Sequence, residues 1–351
     1  MKRKRAAKTR RWPPIAAALA ALALWLAPVS PAAVERWYSR GVYPVWQRVA
    51  TTAANFVPIA LFDLLLLAAA AFIVLTVIRG WRTGARAGAA GRLLLVAALA
   101  AIWFQLAWGL NYRRQPIAET LALRVEAQPA DALARFARAA AAETAASARD
   151  LDRDTPITPS RMLAELSSGF DRAQRRIGLT TRARPGRPKY SLFNPYFRWA
   201  AIDGVTNPFV PETMIVSGLV PAEAYVTVAH EWAHLAGYAS EDEANFVGWL
   251  ACLEAGGGPR YNAWLFALTK AAGAGTREEA REWMARAGPL AARDLAAIRQ
   301  RLLTSSPAVR RAASVAYDGF LKANRVDGGI ESYDKVLQLM LAAAPGGRPR
   351  L

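Results

Sequence analysis

The chain has 351 residues, of which 54% are hydrophobic and 21% charged, enough for a sizeable core and unlike a disordered composition. A single cysteine excludes a disulfide framework and any all-cysteine metal site, and two histidines confine imidazole chemistry to two positions. The net charge of +18 points to nucleic acid only until it is placed: seven Lys/Arg fall in residues 1–12 and four Arg in residues 79–92, and both segments flank apolar runs.

The apolar runs predict three transmembrane helices. They are 13–29 (apolar from Ile15 to Val29), 56–78 and 93–110. The first is short enough to be a signal peptide, but no clean cleavage site follows it and more spans come after, so it reads as a retained anchor. The Lys/Arg bias keeps the tail 1–12 and the loop 79–92 in the cytoplasm. It places the loop 30–55 and the segment 111–351 outside. The expected location is therefore a bacterial inner membrane, with the lipid bilayer as one partner and no nucleic acid. Asp63, inside the second run, is expected to be an interfacial acid facing other helices.

Beyond the membrane, residues 117–180 read as helices, with Ser160 as an N-cap in the second. Thr181–Tyr190 reads as a basic loop, and 190–218 as the segment with strand character. Thr213–Val216 is its best core, limited to edge or irregular strands by Pro195, Pro208 and Pro211. From Pro221 the pattern is helical again, with breaks such as Gly288–Pro289, up to a disordered tail at PGGRPRL. The fold class is mainly α: three spans, then a mostly helical domain with a small strand region.

The chemistry lies in PAEAYVTVAHEWAHLAGYASEDEANFVGWLAC, residues 221–252. Pro221 suits the first turn of a helix and Gly237 its C-terminal cap. Within that helix His230 and His234 stand at i and i+4, on one face, as needed to grip one metal ion. Glu231 beside them can take a proton from water. Both histidines of the chain fall in this motif, which makes a chance match improbable. A catalytic zinc needs a third protein ligand and an open position. Ser240 with Glu243 has the form of a capping box. That leaves Glu241 as the first choice of third ligand, with Glu243, Asp242 or a distant acid as the alternatives. Asn245 shares the face of Glu241. Gly248 and Cys252 continue it with small side chains that allow close helix packing.

These words, together with VERWYSRGVYP, WGLNYRRQP, NPFVPET, RYNAW, YDGFLKAN and GIESYDKV in this order, give the chain its resemblance to a bacterial family of three-pass membrane proteins with an HExxH motif, an uncharacterised domain family. More distantly, HEWAH followed by Glu241 and Asn245 is similar to gluzincin metallopeptidases. Here, however, six residues separate His234 from Glu241, fewer than in that group, and Ser240 stands where metzincins place a third histidine. The resemblance implies a zincin-like domain.

The expected activity is zinc-dependent hydrolysis of peptide bonds, with His230, His234 and Glu241 as metal ligands and Glu231 as general base. Tyr333 is the first choice as oxyanion donor, before Tyr317 and Tyr261. The segment Val205–Val216 is read as offering a strand edge to an extended peptide or protein substrate. The competing expectations are a non-catalytic zinc-binding membrane module and a hydrolase of cell-envelope components.

Overall fold

The computed structural model describes residues 12–125, 128–129, 131–149, 151–324 and 335–344. The tail PGGRPRL lies outside them.

Helix α1 (Trp12–Leu26) has 15 residues, about 22 Å of rise and less than the ~30 Å hydrocarbon layer. The helical run α2 (Pro31–Phe56) follows, bent by 103° from α1. Helices α3 (Leu61–Arg82) and α4 (Arg86–Ala107) each have 22 residues and are long and apolar enough to cross a membrane. The count of candidate spans is thus two, or three if the bent pair α1 and α2 is one. The segment 30–55 between the first two apolar runs is helical from Pro31 and π-wound over Val34–Val42. Pro44 stands where the π-wound stretch passes into a regular helix.

The remainder is a helical body: α5 (Ala132–Ser147), α6 (Pro159–Arg176), α7 (Asn194–Ala200), α8 (Pro221–Leu235), α9 (Glu241–Ala255), α10 (Gly257–Ala274), α11 (Arg277–Leu303), α12 (Pro307–Ala323) and α13 (Val336–Ala343). The N-cap of α6 is Thr158, whose hydroxyl accepts from Arg161 N at 3.2 Å, rather than Ser160. Pro159 follows it at the first helical position. Helix α11 bends at Gly288, whose φ of +89° only glycine adopts readily, just before Pro289.

Three short strands accompany α8: β1 (Lys189–Tyr190), β2 (Gly204–Thr206) and β3 (Thr213–Ile215). Their order is β1-β3-β2. β3 runs parallel to β1 and antiparallel to β2, with Val205 opposite Met214. This corrects the expectation of an edge strand at Thr213–Val216: β3 is central and fully buried. Pro208 and Pro211 lie in the turn before it, and Pro195 lies in the first turn of α7. None of the three interrupts the ladder.

The core is built around α8 and α9, with Trp232, Trp249 and Trp264 all buried. Close helix crossings position it. A Cβ on Gly169 of α6 would stand 2.5 Å from the Ala251 carbonyl oxygen of α9, and one on Gly248 of α9 would stand 2.8 Å from the His230 backbone nitrogen of α8. The second crossing sets α9 directly against the histidine-bearing helix, as the small residues of α9 predict.

Two carboxylates tie this body to the candidate spans. Glu212, just before β3, accepts from the backbone N–H groups of Leu61 (3.1 Å) and Phe62 (2.6 Å), the orphan donors that open α3. Lys189 Nζ completes the pair at 2.8 Å, and both side chains are about 1% exposed. Asp63, in the first turn of α3, accepts from Ser191 Oγ and Leu192 N, both at 2.6 Å. The buried partners of Asp63 are therefore the loop after β1 rather than other helices.

Candidate metal centre

Helix α8 presents His230 and His234 on one face, with their Nε2 atoms 3.1 Å apart. Glu241, in the first turn of α9, brings Oε2 to 3.1 Å from His230 Nε2 and Oε1 to 3.7 Å from His234 Nε2. These three residues form a group whose ligand atoms all lie within 4.8 Å of one another. Tetrahedral zinc with bonds of about 2.0–2.1 Å separates its ligand atoms by about 3.3 Å, so the observed spacings suit one ion. Two further features fit. Glu241 Oε2 is buried without a hydrogen bond, a cost that a cation would remove. His234 Nδ1 lies 2.7 Å from the Tyr238 carbonyl, which can only accept. Nδ1 therefore carries the proton, and the Nε2 lone pair faces the cluster. Zinc suits this donor set of two imidazoles and one carboxylate.

The turn between α8 and α9 makes this convergence possible. Gly237 has φ +84°, the left-handed conformation that ends a helix and reverses the chain within six residues. A Cβ there would fall 2.8 Å from Asn111 Oδ1. Three carbonyls at and just past the end of α8 accept from side chains of the preceding segments, that of His234 in addition to the Gly237 N–H. Trp108 Nε1 donates to His234 O at 3.0 Å, Tyr43 Oη to Leu235 O at 3.0 Å, and Arg114 Nη1 to Gly237 O at 2.9 Å. Arg114 also stacks over the Tyr238 ring at 4.1 Å and is gripped by both oxygens of Glu35 at 2.9–3.0 Å. Sequence reasoning assigned these residues no role. The words VERWYSRGVYP and WGLNYRRQP do contain Glu35, Tyr43, Trp108 and Arg114, and what they do is brace the end of the histidine helix.

Glu231 is buried, on the side of α8 facing β2. Its Oε2 accepts from Thr206 Oγ1 at 2.7 Å. A Cβ on Gly204 would stand 2.5 Å from Oε1, so the absence of a side chain at Gly204 makes the carboxylate's place. Burial pushes the Glu231 carboxyl up, against the pull of the two histidines. Burial also opposes charge on His234, but Glu241 outweighs it and lifts the imidazole to about 9; the histidines in turn hold Glu241 well below the carboxylate range despite its burial.

The alternative third ligands lie elsewhere. Glu243 accepts from Ile117 N at 2.5 Å, and its carboxyl is pushed up to about 7 by burial, against the Arg114 charge. The expected capping box is not formed, because Ser240 makes no side-chain cap bond at the start of α9. Asp242 is absent from the metal-ligating group. Among the tyrosines, Tyr317 on α12 donates to Glu241 Oε1. Tyr261 donates to Asp294 at 2.7 Å instead. Tyr333 lies outside the described residues. Cys252 is a fully buried filler and its thiol is pushed up by burial.

No curated protein and no solved structure matches the chain. A family model does, over residues 38–341, and the stretch it covers takes in most of the braces, both ligand helices and α12. The chain therefore belongs to the family described as protein of unknown function (DUF3810).

Proposed function

We propose that the chain is a membrane-anchored zinc metallopeptidase that hydrolyses peptide bonds on the extracytoplasmic side. The observation that carries this reading is the convergence of His230, His234 and Glu241 on one point while Glu231, which is not in that group, is held beside it by a separate strand. A structural zinc site has no use for that fourth, separately positioned carboxylate.

A zinc ion held by the three ligands supplies Lewis acidity, lowering the pKa of water and polarising a carbonyl. Glu231 accepts the proton of the attacking water and passes it to the leaving amine; its raised pKa brings it nearer the working pH of such a shuttle. Among the described tyrosines Tyr317, whose hydroxyl donates to Glu241 Oε1, is the candidate donor to the developing oxyanion. Among the described strands β2 pairs with β3 alone and stands at the edge of the sheet, beside Glu231, where an extended peptide could add as a further strand. The concentration of Lys/Arg in 1–12 and 79–92 supports the orientation, with both segments cytoplasmic.

The non-catalytic zinc module has one observation in its favour: Tyr317 closes on Glu241, whose side chain is only 2% exposed. The full chain in detergent separates the two readings. Wild type and Glu231→Gln are expected to carry about one zinc per chain, and His230→Ala to lose it. Hydrolysis of a quenched fluorescent peptide mixture is expected to fall by about 10²–10⁴-fold in Glu231→Gln. Zinc retained in His230→Ala, or hydrolysis retained in Glu231→Gln, overturns the proposal.

A further inference from the structure

Helix α2 is amphipathic in the inverted sense. The face turned to the helical body buries four polar side chains, Glu35, Ser39, Gln47 and Thr51, all hydrogen-bonded, among Val34, Tyr43, Pro44, Ala50 and Ala54. The face turned away is apolar. Trp37, Val42, Val45, Val49 and Phe56 are 67%, 66%, 59%, 63% and 83% exposed, and their spacing makes one stripe along the helix. A helix facing water would reverse this arrangement. Arg36 and Arg48 flank the stripe, and the Arg36 guanidinium lies 4.8 Å from the Trp37 ring centroid.

The orientation of α2 agrees. Helix α1 runs alongside α4: Pro14 meets Gly91 at one end, and Arg113, just past α4, donates to the carbonyls of Leu24 and Ala27 at the other. α2 leaves α1 at 103° and so lies close to perpendicular to α4. It ends at Phe56, with four residues between it and the start of α3 at Leu61. A bilayer crossed by α3 and α4 therefore has its surface where α2 lies, at the Leu61 and Ala107 ends.

We propose that α2 is an in-plane interfacial helix with its apolar stripe in the leaflet at that end, and that it seats the metal centre at the bilayer surface, so that the substrate is the segment of a membrane-anchored polypeptide next to its own span. The substrate half rests on the peptidase reading above; the seating half does not. Tyr43, on the inner face of α2, bonds the last turn of the histidine helix, so about one helix diameter, ~10 Å, separates that helix from the lipid-facing stripe. At about 3.3 Å per extended residue, a chain leaving the bilayer covers that height in roughly three residues. Phe104, in the last turn of α4, packs on Phe320, one helical turn from Tyr317, which places the covering helix α12 at the same level.

Two measurements on the full chain test the two halves. Val45→Cys and Val49→Cys, spin-labelled in phosphatidylcholine/phosphatidylglycerol vesicles, are compared by power saturation with Leu66→Cys in α3 and Glu282→Cys on α11; buried Cys252 does not compete for label. Labels at 45 and 49 are expected to favour oxygen over a water-soluble nickel relaxant, as at 66, within about 5–10 Å of the headgroup boundary. Water-like accessibility as at 282, or dipolar broadening from a second copy, overturns the seating. New protein termini in cells expressing wild type but not Glu231→Gln are expected within about three to six residues of a span in membrane proteins. Termini scattered through soluble proteins overturn the substrate class. No new termini, with the labels in lipid, counts against the peptidase reading and the substrate class and leaves the seating intact.

Discussion

Gly204→Ala tests whether Glu231 is a positioned base. The added Cβ would fall 2.5 Å from Oε1 and 2.8 Å from Cγ of Glu231. Carbon–oxygen contacts close no further than about 3.3 Å, so the carboxylate or the strand must yield by roughly 0.8 Å. A misplacement near 1 Å costs about 10²-fold in rate, or about 2.7 kcal/mol of barrier. The metal ligands are a separate group, so zinc content is expected to stay near one per chain while kcat falls about 10²-fold with little change in KM. The assay pairs metal analysis with peptide hydrolysis on the same preparation, and thermal unfolding reports the overpacking cost, expected to be about 1–3 kcal/mol. Thr206→Val is the companion without a clash. It removes the 2.7 Å bond to Oε2 and is expected to cost about tenfold. Wild-type kcat in Gly204→Ala, with the fold and zinc intact, would refute the view that the strand holds Glu231 in its working position.

Three further outcomes are expected. Zinc affinity rises with pH toward about 9, because the proton that Glu241 keeps on His234 against its burial must leave before the ring can bind metal; an affinity flat from about pH 7 to 9 in a chelator competition would contradict this. Cys252 resists iodoacetamide in the native chain and reacts after denaturation, because burial both screens the thiol and pushes its pKa up; rapid native labelling would contradict that placement. Glu212→Ala strands the buried Lys189 charge and uncaps α3, costing about 3–5 kcal/mol and lowering Tm by roughly 6–20 °C, and Glu212→Leu with Lys189→Met recovers only the part due to the stranded charge, because α3 stays uncapped; a shift below about 2 °C in Glu212→Ala would mean that the pair is not buried as described.

What the sequence makes legible here is local. His230 and His234 are four residues apart, Gly237 ends their helix, and Glu241 opens the next, so this part of the site follows from spacing within a dozen residues. The apolar runs of α3 and α4 are equally local signals. The relations that were not legible cross long stretches of chain. Glu243 leaves its expected capping box for the backbone of Ile117, 126 residues away. Tyr317 reaches Glu241 across 76 residues, and no periodicity distinguishes it from Tyr261. Helix α2 is obscured for a different reason: Glu35, Ser39, Gln47 and Thr51 point inward while Trp37, Val42, Val45 and Val49 point outward, so rules that assume water outside misread it. The central position of β3 is hidden because it is three residues long and its prolines, though close in sequence, stand outside the ladder.

The candidate spans are more than a tether for a separate domain. Three carbonyls at the end of the histidine helix and in the turn after it accept side-chain donors from α2 or from the segment just after α4: Leu235 from Tyr43, His234 from Trp108, Gly237 from Arg114. The strand before that helix is fixed in the same way, since Glu212 spends its charge on the first N–H groups of α3 and on Lys189. Buried polar groups tolerate little displacement before a partner is lost, and each loss leaves a desolvated donor or acceptor behind. A shift of α2 or α4 relative to the helical body would therefore be felt first at the turn carrying Gly237, which sets the distance from His234 to Glu241. The placement of the candidate spans and the geometry of the candidate metal ligands are coupled through these few bonds.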